Sequence, residues 1–117
     1  MITEIAFFVY PVSNVPRARR FYEGALGLKL EGNFQGQWLE YNVHGTTFAV
    51  ATQDKAHRPA RHGGTVAFEV DDLDAMVRRL RQRRVRFVQA PSETPVCRFA
   101  TVADPDGNQV IIHQRKA

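Results

Sequence analysis

The chain has 117 residues, with 44% hydrophobic and 24% charged side chains. That length supports a core without staples, and that balance excludes a wholly disordered chain. Sixteen Lys and Arg against twelve Asp and Glu leave a formal charge of +4 at pH 7, a surplus that allows an acidic partner without requiring one. The single cysteine, Cys97, excludes an intramolecular disulfide and any CxxC metal or redox pair, which fits a reducing compartment. Residues 1–15 carry Glu4 and no basic n-region, and their apolar run breaks at Pro11, unlike a signal peptide. No stretch approaches the ~20 apolar residues of a membrane span. The expectation is a cytoplasmic protein with no membrane contact.

In chain order, residues 4–12 alternate apolar side chains on two faces and predict a strand. Ser13 or Asn14 can cap a helix with Pro16 in its first turn; it continues through 17–25 and stops at Gly27. Residues 28–34, 37–43 and 46–52 read as three short strands, parted by turns at Gln35–Gly36 and His44–Gly45. The polar stretch 53–64, with Pro59 and two glycines, reads as a linker. The pattern then restarts: a strand at 65–70, a helix capped by Asp71 or Asp72 and running to about Arg83, and a strand at 85–89. A hairpin of 96–103 and 108–114 closes the chain around Asp104-Pro105-Asp106-Gly107, where Pro pre-sets φ and Gly accepts a positive φ.

Shifted by 58 residues, the halves overlay: Val12 meets Val70, Asn14 meets Asp72 and Val15 meets Leu73. Strand, cap and helix coincide, so a βαβββ unit repeated twice is the economical account. It implies one domain, 1–117, with modules at about 1–53 and 64–117 joined by a linker at about 53–63. A single ferredoxin-like α+β domain has fewer strands than this chain offers. Six arginines crowd into residues 78–86, following the acids Asp71, Asp72 and Asp74. This order suits a solvated helix and its dipole, and no nucleic-acid motif accompanies it.

Three segments resemble the vicinal oxygen chelate superfamily, which comprises glyoxalase I, bleomycin-resistance proteins and extradiol dioxygenases. They are FFVYPVSNVPRARRFYEGALGL, GGTVAFEVDDLDAM and VADPDGNQVIIHQ. The resemblance implies an α+β fold of two βαβββ modules whose mixed sheet curls into a cup with the helices outside, and a homodimer. It also implies four metal-ligand positions, which here carry Phe7, Ala49, Thr65 and Ile111. Three of these side chains are hydrocarbon and none is a carboxylate, imidazole or thiolate, so metal-dependent chemistry at the family site is not expected. The expectation is no metal and no cofactor.

Strand parity places further side chains with these four. If Phe7 and Thr65 face the cup, so do Val9, Ala67 and Glu69. A two-residue turn at His44–Gly45 puts Trp38, Glu40 and Asn42 opposite Ala51, Ala49 and Thr47, all on that face. His113 and Gln109 join Ile111. Phe8, Tyr10, Phe48, Val50, Val66 and Phe68 have the opposite parity and are assigned to the core. His44, His57, His62 and Cys97 are read as solvated or structural.

The ligand pocket expected is therefore Phe7, Val9, Trp38, Glu40, Asn42, Thr47, Ala49, Thr65, Ala67, Glu69, Ile111 and His113. The leading reading is a metal-independent protein that binds or sequesters a small organic molecule, aromatic ones among the candidates. Inward carboxylates at Glu40 and Glu69 would favour a cationic or donor-bearing ligand. The alternative is an isomerase or lyase with Glu40, Glu69 and His113 as acid–base or displaced metal-binding groups. A third possibility is that the pocket is vestigial and the chain acts through a partner surface, which a cup filled by Trp38 and Phe7 would support. No nucleic-acid partner is expected.

Overall fold

The computed structural model describes Met1 and residues 3–116. They divide into two compact units, Met1–Pro59 and Ala60–Ala117. The first contains β1 (Phe8–Val12), α1 (Val15–Arg19) continuing into a π-helical turn (Arg20–Ala25), β2 (Leu30–Phe34), β3 (Trp38–Val43) and β4 (Thr46–Thr52). The second contains β5 (Val66–Glu69), α2 (Leu73–Gln82), β6 (Arg86–Glu93), β7 (Cys97–Ala103) and β8 (Gln109–Arg115). Each unit is thus βαβββ. The sheet orders match: β1-β4-β3-β2 and β5-β8-β7-β6, with one parallel pair in each, β1 with β4 and β5 with β8.

The two helix starts show the repeat at atomic level. The Asn14 carboxamide oxygen accepts the Arg17 backbone N–H at 2.9 Å, and Asp72 accepts that of Ala75 at 3.0 Å. Both occupy the cap position, satisfying a donor that the first helical turn leaves without a partner. The register of β3 on β4 follows the two-residue turn: Trp38 lies opposite Ala51, Glu40 opposite Ala49 and Asn42 opposite Thr47.

The core of the first unit lies on the opposite sheet face. Tyr22 packs against Phe48 at a tilt with ring centroids 5.2 Å apart, and Tyr10 and Tyr41 flank the same ring at 5.6 and 6.3 Å. At its edge the Arg19 guanidinium grips the Glu23 carboxylate through two bonds, 2.7 and 3.1 Å, while the Tyr41 hydroxyl donates to Glu23 Oε2 at 2.9 Å. Burial and then the Glu23 carboxylate push the Tyr41 phenol above its ordinary pKa. Arg19, and to a smaller degree the Tyr41 hydroxyl, hold the Glu23 carboxyl below its ordinary range.

In the second unit, the Asp104–Asn108 turn is closed by a buried carboxylate. Asp104 accepts the backbone N–H groups of Asp106 and Asn108 at 2.9 and 2.8 Å and the Asn108 side-chain amide at 2.9 Å. Asn108 in turn accepts the Ala60 N–H at 3.0 Å, pinning the start of the unit to the turn. Gly107 has φ +90°, which a Cβ would strain.

Four expectations need correction. The first strand begins at Phe8 rather than residue 4, because its ladder with β4 starts at Phe8–Phe48. Phe8, at that start, is 43% exposed and so is not core, and Val66 and Phe68 on β5 are only half-buried. The first helix is not uniformly α-helical: Leu26 N–H bonds Phe21 O five residues back, the wider turn of a π-helix. Finally β6 runs to Glu93, past Pro91. It is an edge strand with register shifts on either side of Gln89, where a residue without an N–H is tolerated.

Candidate functional site

A cavity of about 890 Å³ opens in the first unit, lined by Phe7, Val9, Pro11, Gln37, Trp38, Ala51, Thr52 and the 53–58 segment through Gln53, Asp54, Ala56, His57 and Arg58. The parity of β1, β3 and β4 creates its sheet wall: Val9 and Pro11 are alternate residues of β1, and Ala51 is the ladder partner of both Pro11 and Trp38. Phe7, just ahead of β1, packs edge-on against Trp38 with centroids 5.2 Å apart and planes at 88°. The Trp38 indole N–H donates to Glu40 Oε2 at 2.8 Å. That bond joins alternate residues of one strand and fixes the ring, whose π surface then forms part of the wall.

The second wall is one the sequence disguises. Residues 53–58 read as linker, yet the segment is tied down. Gln53 N–H bonds Val12 O at 2.9 Å, and Asp54 N–H bonds His57 O at 3.0 Å. Asp54 Oδ1 accepts the backbone N–H groups of Ala56 and His57, both at 2.8 Å, and lies 3.1 Å from His57 Nδ1. These bonds, the His57 and Ala56 backbone donors foremost, hold the Asp54 carboxyl below its usual range. The signal in the sequence was Asp54 itself, an aspartate able to bond N–H groups two and three residues ahead.

Of the residues assigned to a pocket, Phe7, Val9 and Trp38 line this cavity. Glu40 stands behind Trp38 as its acceptor. Ala49, fully buried between its ladder partners Val9 and Glu40, and Asn42 and Thr47, further along the sheet, are not on its wall. Thr65, Ala67, Glu69, Ile111 and His113 belong to the second unit. There Ala67 lies beside Ile111, and Glu69 beside His113, in the parallel β5–β8 ladder. His113 Nδ1 is 2.6 Å from Glu69 Oε1, and the other Glu69 oxygen accepts the Arg115 N–H at 2.7 Å. The Arg115 N–H, then the His113 ring, hold the Glu69 carboxyl below its ordinary range. Both carboxylate oxygens are therefore engaged in fastening the ends of β5 and β8. Of the three acid–base candidates, Glu69 and His113 meet, while Glu40 is engaged by Trp38.

A model of the Glyoxalase/Bleomycin resistance protein/Dioxygenase superfamily matches residues 4–112. The chain belongs to this superfamily. Among solved structures, an antibiotic binding protein, TnmS3, from Streptomyces sp. CB03234 is similar at 30% identity and a TM-score of 0.82, over 98% of each chain. A glyoxalase/bleomycin resistance protein from the same Streptomyces strain is also 30% identical, with a TM-score of 0.74 over 97% of this chain and 100% of its own. A lactoylglutathione lyase from Agrobacterium tumefaciens, 17% identical with a TM-score of 0.77 over 97% of this chain and 95% of its own, shares the fold. No curated protein matches the chain.

The side chains at the superfamily's metal-ligand positions do not fit a divalent ion. Phe7, Ala49 and Ile111 offer hydrocarbon, and Thr65 offers one neutral hydroxyl. Among the described residues no three His, Cys, Asp or Glu side chains are grouped to hold a metal elsewhere. Nor is any described helix long and apolar enough to cross a membrane.

Proposed function

We propose that the chain is a metal-independent binding protein that holds a small organic molecule with an aromatic ring in the first unit's cavity. The observation that carries this reading is the wall itself: a tryptophan fixed by Glu40, an edge-on Phe7 and a volume of about 890 Å³ beside them. Ligand sites are typically clefts of roughly 300–1,000 Å³, mostly apolar, with a few polar groups that set orientation. Trp38 and Phe7 leave that volume open, which argues against a cavity closed by its own side chains. The antibiotic-binding activity named for the 30% identical relative supports sequestration as the role. Binding needs no catalytic group, in keeping with the lack of any carboxylate, imidazole or thiolate at the family's ligand positions. A cytoplasmic homodimer is part of this reading.

Trp38 is the chain's sole tryptophan, so its fluorescence reports on the cavity alone. Titration with aromatic small molecules, aromatic antibiotics included, is expected to quench that emission saturably, with EDTA present or absent. Trp38→Ala is expected to weaken calorimetric affinity about thirtyfold, the loss typical of a buried aromatic anchor. Unchanged affinity in that variant, or binding that requires a stoichiometric divalent ion, would overturn the proposal.

The 2.6 Å contact of His113 with Glu69 favours one other reading, proton transfer by the imidazole at the end of β8. Under it, His113→Gln abolishes turnover without weakening ligand binding at Trp38.

A further inference from the structure

Resting on the cavity as a ligand site, we propose that it selects aromatic acids: flat molecules bearing a carboxylate or an acidic phenol, in preference to neutral or cationic molecules with the same ring.

Three ionisable side chains line the cavity: Asp54, His57 and Arg58. Asp54 is turned into its own loop, where Oδ1 accepts two backbone N–H groups at 2.8 Å and lies 3.1 Å from the His57 ring. It keeps its negative charge, but its Oδ1 is occupied by donors of the 54–57 turn rather than offered to the cavity. Arg58 is exposed and makes no hydrogen bond or ion pair among the described residues. Its five N–H donors form a fork that matches a carboxylate's two oxygens.

Glu40, the carboxylate nearest in sequence to the aromatic wall, stands outside the lining and accepts the Trp38 N–H. Reading Glu40 as an inward charge pointed to a cationic ligand. The structure reverses that sign: the glutamate sets the ring, and the open charge on the wall is the guanidinium. Because Glu40 takes the indole N–H, Trp38 offers a ligand its ring face rather than a hydrogen bond. A ring against Trp38 and Phe7, with an acid group directed at Arg58, uses both chemistries of the wall.

Isothermal titration calorimetry with three probes of one shape tests this: biphenyl-4-carboxylate, biphenyl-4-carboxamide and biphenyl-4-ylmethylammonium. The carboxylate is expected to bind about fivefold more tightly than the amide, the scale of an exposed ion pair, and the ammonium more weakly than either. Raising salt from 0.05 to 0.5 M should narrow the gap as the Debye length shortens. Arg58→Gln should bring the carboxylate-to-amide ratio close to one. Arg78→Gln, which removes the same charge from the exposed face of α2, should leave the ratio intact. If the amide or ammonium binds as tightly as the carboxylate, or if Arg58→Gln preserves the preference, the selectivity is refuted while the cavity remains a binding site. If none of the three quenches Trp38 or yields heat, the small-molecule reading fails, and the selectivity with it.

Discussion

Replacing Glu40 by Ala removes the acceptor that fixes Trp38, and its consequences follow from one bond. The indole N–H donates to Glu40 Oε2 at 2.8 Å, and both side chains are half-buried. A hydrogen bond to a carboxylate contributes about 1.5–3 kcal/mol net when well enclosed; with the pair half in water, about 1 kcal/mol is expected. With both residues half-exposed, the freed N–H can bond water, so no stranded donor adds to the cost. A ligand must then immobilise a ring that was previously held, at about 0.5–1.5 kcal/mol, which corresponds to about a fivefold loss of affinity. Glu40→Gln keeps an acceptor and should lose less than Glu40→Ala. Calorimetry with an aromatic probe gives the affinity, urea unfolding gives the stability, and Trp38 fluorescence anisotropy gives the ring's freedom. Unchanged affinity and anisotropy in Glu40→Ala would refute the positioning argument even if stability fell as predicted.

Three further outcomes concern the frame that holds the cavity. Tyr41→Phe removes the hydroxyl bond to Glu23 and should cost about 1 kcal/mol, lowering Tm by about 3–5 °C in a calorimetric scan; no change would mean that Arg19 alone satisfies the carboxylate. Glu23 has a lowered pKa in the folded state, so its charged form stabilises the fold. That contribution is fully present above glutamate's ordinary range and is lost as the pH falls from there through the lowered folded-state value. The stability gap between wild type and Glu23→Gln should therefore shrink in acid, and a gap constant from pH 7 to 3 would contradict this. Asn108→Ala leaves the buried Asp104 carboxylate short of a donor and the Ala60 N–H without its acceptor, and should cost about 2–3 kcal/mol by urea unfolding; less than about 0.5 kcal/mol would mean water replaces both bonds.

Much of the frame was legible in the chain. The helix caps, legible to within one residue and now seen at Asn14 and Asp72, the His44–Gly45 turn and the pairing of Trp38, Glu40 and Asn42 with Ala51, Ala49 and Thr47 all come from local chemistry that the fold preserves. Half of the cavity was legible for the same reason, since parity alone puts Val9 and Trp38 on one face. The other half was hidden because residues 53–58 lack periodicity; their order comes from an aspartate folding its own loop, which composition reads as solvated linker. The role of Glu40 was hidden differently. Parity gives a face, but not whether a carboxylate on it meets solvent, a ligand or the neighbouring indole.

The space between Trp38, Phe7 and the 53–58 loop is proposed to hold an aromatic molecule. A crystal structure of the protein with biphenyl-4-carboxylate tests it most directly. Ring density is expected against Trp38, with the carboxylate directed toward Arg58. Density elsewhere on the chain, or a Trp38 ring swung from Glu40 to fill the cavity itself, would contradict it.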